Sequence, residues 1–140
     1  MPELLRRRSG RRAERGAAAL EFALIAPLLM LMLIGIITYG YMLSFRQSLS
    51  QAAAEGARAA AVAPLSANRA ALATSAVGSA MGVACGSTYL TCTVTFPTTC
   101  TCVSVTVTHS YKADPSKPVF LGLGLVIPDK LTYTAVSEVS

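Results

Sequence analysis

No residue between Phe22 and Phe45 carries a formal charge, and this run of 24 residues constrains the chain more than any other feature. As a helix it is about 36 Å long, enough to cross the roughly 30 Å hydrocarbon core of a bilayer with some tilt. Arg6, Arg7, Arg8, Arg11, Arg12 and Arg15 precede it, whereas only Arg46 follows closely. That asymmetry places the N-terminus in the cytoplasm and the C-terminal part outside. Tyr39, Tyr41 and Phe45 fall near the outer end, where amphipathic rings favour the headgroup layer. A cleaved secretory signal fits poorly, because its apolar region covers about 7–15 residues and ends at a small-residue cleavage site. Here the run is longer and Tyr-Gly-Tyr-Met-Leu-Ser-Phe-Arg closes it. An uncleaved single-pass anchor satisfies the same pattern.

Charge elsewhere excludes a nucleic-acid partner. The chain has net charge +5. Six arginines against two glutamates give the first sixteen residues +4, and six basic against five acidic residues leave +1 on the rest. No basic surface that could neutralise phosphates remains. The positive charge sets topology.

A glutamate stands at the mouth of the apolar run, in Arg15-Gly16-Ala17-Ala18-Ala19-Leu20-Glu21-Phe22. A charge at the centre of a membrane helix costs roughly 2.5–3.5 kcal/mol or more, so a carboxylate at its entrance asks for a reason. Gly16 has no side chain to obstruct an enzyme and little preference for helix, which predicts an extended, accessible bond there. The block resembles the processing site of Flp (Tad) prepilins. Glu-Phe-Ala-Leu-Ile-Ala-Pro-Leu-Leu with its early Pro27, and Glu55-Gly56-Ala57-Arg58-Ala59 further on, are similar to the TadE-like family of that system. Val-Ser-Val-Thr-Val-Thr and the Gly/Leu segment after it extend the similarity over nearly the whole chain, with His109 where that family leads us to expect an aromatic residue.

The resemblance implies a pilin-like fold and a structural role. A prepilin peptidase would cut Gly16–Ala17, with Gly16, Ala17, Glu21 and Phe22 as the processing residues. Glu21 and Pro27 would serve assembly, the Glu21 carboxylate meeting the new α-amine of a neighbouring subunit. In a low-dielectric setting such a pair supplies several kcal/mol and fixes the axial offset between helices. The implied protein is a minor pilin or pseudopilin taking part in assembly of an adhesive pilus. It would be a single-pass protein of the bacterial cytoplasmic (inner) membrane, with its C-terminal domain periplasmic or extracytoplasmic. Partners would be the peptidase, other pilin-like subunits and the assembly machinery. The competing reading is an uncleaved, membrane-anchored exported binding module. Glu21 as a carboxylate solvated at the membrane edge, and Pro27 as a tolerated membrane proline, are the plainer alternatives for those residues.

Beyond the span the pattern predicts an α+β protein: a transmembrane helix continuing into a stalk helix, then a short helix and a small antiparallel sheet. The parts are a leader at 1–16, the membrane helix at 17–45, a stalk at 46–64 and an exported domain at 65–140. Gln51–Val62 is helix-favouring or small, and Pro64 stops it. Its small residues either let helices approach closely or simply favour helix. A second helix should run from Ser66, as N-cap, to about Ala80.

Leu90, Cys92, Val94 and Phe96 alternate with threonines and precede a turn at Pro97-Thr98-Thr99. Val103, Val105, Val107, His109 and Tyr111 then share one face, and Lys130–Ser137 reads as a third strand. Pro115 and Pro118 punctuate the connection. The apolar stretch Val119–Ile127, with Gly122 and Gly124, is too short to cross a membrane. It is either a loop packed over the sheet or a patch facing a subunit or the membrane.

Cys85, Cys92, Cys100 and Cys102 form an even set on the exported side, which predicts disulfides. Four cysteines allow three connectivities; face parity disfavours Cys92–Cys102 across a regular ladder, and of the others Cys92–Cys100 with Cys85–Cys102 is the expected set. The spacing lacks the paired CxxC of a zinc ribbon, and a lone histidine on an apolar face is a structural residue, so no metal is expected. From Ala70 to Tyr111 no residue carries a formal charge except potentially His109. With no phosphate-cradling loop and no nucleophile–base set, no catalytic residue, cofactor or small-molecule substrate is expected. The chain reads as a peptidase substrate and not as an enzyme.

Overall fold

The computed structural model describes residues 3–64, 66–117 and 127–139, with side chains from residue 16 onward. It contains α1 (Glu3–Ala61), α2 (Arg69–Met81), β1 (Leu90–Thr95), β2 (Cys102–His109) and β3 (Leu131–Glu138). The α+β class and the element order match the sequence reading. The leader's side chains, Pro118, and the apolar stretch from Val119 with Gly122 and Gly124 lie outside the described residues, apart from Ile127, which is buried.

Two compact units divide the chain at Ile37 and Thr38. In the first, Leu20, Phe22, Leu24, Leu28, Leu31 and Ile36 are all exposed. The α1 segment Gly16–Ala61 contains a stretch long and apolar enough to cross a membrane, and among the described residues none of that stretch is buried. Pro27 sits inside α1, and the helix continues through it.

In the second unit, α1 from Thr38 onward packs through small residues. Ala52, Ala53, Ala57, Ala60 and Ala61 are buried with Met42 and Leu49. Gly56 shows why they are small: a Cβ there would lie 2.6 Å from Val77 Cγ2 and 3.1 Å from the Ala73 carbonyl oxygen. Close approach, one of the two readings of the stalk, is therefore found within this chain. Past the helix end, Arg69 Nε and Nη2 donate to the Ala63 carbonyl at 3.1 and 2.8 Å.

The second helix begins later than expected. Asn68, not Ser66, is its N-cap, accepting from the Ala71 N–H at 3.0 Å. Ser66 is taken up in the turn closed by Ala67 N–H to the Pro64 carbonyl, so the first free capping oxygen is that of Asn68. Gly82, at φ 69°, ends the helix in the left-handed conformation that glycine adopts without penalty.

The sheet is antiparallel with β2 in the centre. Its register sets Cys92 opposite Val107 and Val107 opposite Tyr133. Val103, Val105, Val107, His109 and Tyr111 are all buried, as the alternation predicts. Two boundaries shift. β1 stops at Thr95, leaving Phe96 exposed, because Pro97 cannot donate to the ladder. β3 runs from Leu131 to Glu138. On the opposite face, Thr106 and Thr134 hydroxyls meet at 2.9 Å and those of Thr108 and Thr132 at 3.1 Å.

Candidate processing and assembly site

Gly16, Ala17, Glu21 and Phe22 lie together on α1, and all four are exposed. Gly16 has no atom within 4 Å of the place a Cβ would take. The fold therefore makes no demand for glycine there. The bond after it is not extended, because α1 runs through Gly16. One glycine in a helix costs only about 1 kcal/mol, and the alanines that follow favour helix strongly enough to carry it. Access to the Gly16–Ala17 bond thus requires local unwinding. Ala17 and Glu21 are one turn apart on the same helix face, and Glu21 forms no ion pair among the described residues.

The cysteines pair differently from the expectation. Cys85 bonds Cys92, and Cys100 bonds Cys102. Hairpin register is the reason. With Cys92 opposite Val107 and Thr95 opposite Ser104, the ladder carries Cys92 away from the hairpin tip. Cys102 lies level with position 97, five residues and therefore about 17 Å along the strand from Cys92, and Cys100, in the turn beyond it, is no nearer. Bridgeable Cα atoms stay within about 7 Å. Cys85 reaches Cys92 instead, at a Cα separation of 5.5 Å, by way of the turn in which Gly86 N–H donates to the Leu90 carbonyl.

A cluster that sequence reasoning did not assemble lies where β2 runs out. Phe45 of α1 meets the His109 ring edge-on at 4.7 Å and the Tyr111 ring at 5.5 Å, and Lys117 Nζ sits 4.4 Å from the Phe45 centroid. His109 Nε2 contacts Asp114 Oδ2 at 3.2 Å. Asp114 Oδ1 accepts from the Ser116 N–H and hydroxyl at 2.9 and 2.7 Å.

Burial is the largest influence on His109 and pulls its pKa below the ordinary value; Lys117 adds to this and Asp114 opposes it. Burial pushes the Asp114 carboxyl upward, but the two Ser116 hydrogen bonds, with Lys117 and His109, outweigh it and leave the pKa lowered. Burial raises the Tyr111 phenol, helped by Tyr41 and Asp114. His109 Nδ1 and the Tyr111 hydroxyl find no hydrogen-bond partner among the described residues. The Ser116 hydroxyl is turned to Asp114 rather than to the imidazole, so the arrangement ties the 110–117 loop to α1 and holds no nucleophile. The described residues contain no group of three or more potential metal ligands. The only advance signal was His109 continuing the apolar face of β2.

Three features lie along one helix: a glycine the fold does not need, a carboxylate one turn beyond the following alanine, and a buried glycine in an alanine-rich stalk. Residues 16–58 match the TadE-like protein family. The match opens at Gly16 and closes at Arg58, taking in Glu21, Pro27 and Gly56. It does not reach the sheet, so the similarity read from Val103–Thr108 and the segment after it is not part of the match. No curated protein and no solved structure matches the chain. The TadE-like match points to a Tad pilus-associated protein of structural type, and the long apolar helix fits a single-pass membrane anchor.

Proposed function

We propose that this chain is a minor pilin or pseudopilin-like structural subunit that takes part in assembly of a Flp/Tad-type adhesive pilus. It is held in the bacterial inner membrane by α1, with its N-terminus in the cytoplasm and the sheet outside. A prepilin peptidase removes residues 1–16. The observation that carries this reading is the start of the family match at Gly16, a glycine that no packing in the fold requires. A small residue that the fold does not need is explained by an enzyme that must approach the backbone there. Cleavage sets a free α-amine on Ala17, and Glu21 supplies the carboxylate that pairs with the amine of an adjacent pilin-like subunit. Pro27 loosens the anchor helix by removing one backbone donor, which lets it adjust as subunits pack.

N-terminal sequencing of the protein from its native membrane tests this directly. The expected sequence begins Ala17-Ala18-Ala19-Leu20-Glu21-Phe22, and Gly16→Leu should block its appearance. Intact Met1 chains alone, in cells with an active prepilin peptidase, would refute cleavage and favour an uncleaved anchor. Glu21→Gln keeps the shape and removes the charge; it should leave cleavage intact and lower co-purification with pilin-like partners. Wild-type recovery of those partners would leave Glu21 as a solvated edge residue.

A further inference from the structure

The two disulfides differ in what the fold does with them. Cys85 and Cys92 border a groove beside α2, but both also pack against the core, and Cys92 belongs to β1. Opening that bridge would free the turn between α2 and β1. Cys100 and Cys102 lie at the tip of the β1–β2 hairpin with Thr101 alone between them. Cys100 is exposed, as are Thr98, Thr99 and Thr101, whereas Cys102 is only 6% exposed.

The second bridge spans a turn. Residues two apart in an extended strand are separated by about 6.6–6.8 Å, but the Cα atoms of Cys100 and Cys102 are 5.3 Å apart, because residues 98–101 form the turn of the hairpin and β2 starts at Cys102. On the β3 side Thr101 accepts from the Val139 N–H at 2.9 Å. Opening this bridge frees an exposed turn, whereas opening Cys85–Cys92 loosens two residues that pack against the core.

We propose that Cys100–Cys102 is an exchange site for thiols, at which an incoming thiolate becomes covalently attached to the hairpin tip. The thiolate attacks Cys100 Sγ, the sulfur of the exposed residue, forming a new S–S bond as the Cys100–Cys102 bond breaks. The electron pair leaves on Cys102 Sγ, which takes a proton from water. One disulfide is consumed and one is made, so no external oxidant or reductant enters. Cys102 is left in a buried position where a thiolate is poorly solvated, which slows its departure and its recapture of the tip alike, so the mixed disulfide forms slowly and is long-lived. The attacking group is a small thiol or a cysteine of another protein. This exchange does not depend on cleavage at Gly16.

The full chain in detergent micelles, equilibrated in graded glutathione buffers and then alkylated, tests the proposal by peptide mass mapping. Cys100 and Cys102 should open at a [GSH]²/[GSSG] ratio at least tenfold lower than Cys85 and Cys92, with the glutathionyl adduct on Cys100. Simultaneous opening of the two bridges, or earlier opening of Cys85–Cys92, would overturn it. As a second measurement, Cys102→Ser should form the glutathione adduct at least tenfold faster than Cys100→Ser, with unfolding midpoints compared to show that both variants fold. Equal rates count against attack at Cys100. In native membranes quenched with alkylating agent, a reducible adduct of protein size identifies a protein thiol and a low-mass adduct on Cys100 a small one. Finding the bridge closed in every quenched sample would end its role as an attachment point.

Discussion

Along α1, residues 16–37 and residues 38–61 obey opposite rules. The first stretch carries large apolar side chains that stand exposed, such as Leu28 at 63% exposure and Ile36 at 69%. The second carries alanine and glycine at full burial, with Ala52, Ala53 and Ala60 at 0%. Hydrophobicity alone would rank the first as core and the second as filler. The fold inverts that ranking: the bulky stretch is left exposed, which fits a membrane anchor, and smallness serves where another backbone must come close. The two glycines make the contrast sharpest. Gly16 has open space around it, and Gly56 has Val77, Ala73 and Val105 against it.

The largest effect that tests this division comes from leucine truncation. Leu49 is 1% exposed and sits in the core of the second unit. Leu49→Ala should lower the unfolding free energy of the sheet-bearing unit by about 2–5 kcal/mol through lost burial and a residual cavity. Leu28→Ala should change it by less than about 0.5 kcal/mol. Denaturant titration of the full chain in micelles, followed by the near-ultraviolet dichroism of its tyrosines, measures both. Equal losses would break the comparison.

A smaller effect separates the glycines. Gly56→Ala must push a methyl group into Val77 and the Ala73 carbonyl, an overpacking that costs about 1–3 kcal/mol even though alanine favours helix more than glycine. Gly16→Ala meets nothing and should leave unfolding of the second unit unchanged. A stabilising Gly56→Ala would mean that the α1–α2 contact yields without resistance, and the close-approach argument would fail.

How much of this was legible depended on whether a signal was local. The face of β2 could be read residue by residue, because alternation is a property of Val103, Val105 and Val107 and their neighbours in one strand. The disulfides could not be paired, because pairing depends on hairpin register, which Pro97 and the turn fix and parity alone does not. Asn68 and Ser66 are both competent caps, and only the turn from Pro64 to Ala67 chooses between them. The residues proposed for processing were visible as a motif, but the helix through Gly16 was not, since a glycine's preference was weighed without its alanine neighbours. The cluster of Phe45, His109, Asp114 and Lys117 joins a helix, a strand end and a loop. Nothing in the spacing of those residues announces it.

The smallest effect, and the one that locates the beginning of the packed half, is a pH dependence at that cluster. Phe45 stacks against His109 and Tyr111, so the imidazole reports whether the 110–117 loop is seated on α1. Burial lowers the His109 pKa from its ordinary value of 6.5. Below pH 6.5 the unfolded chain therefore binds more protons at this position than the folded one, and stability falls as the pH drops toward the folded value. Asp114 works in the same sense, its lowered pKa removing stability only below its ordinary 3.8. His109→Gln should flatten the denaturation midpoint of the full chain between pH 7 and about pH 5, where the wild type declines. Increasing stability on acidification would reverse the sign: the attraction of Asp114 for an imidazolium would then outweigh burial, and His109 would be an ion-pair partner rather than a buried neutral ring.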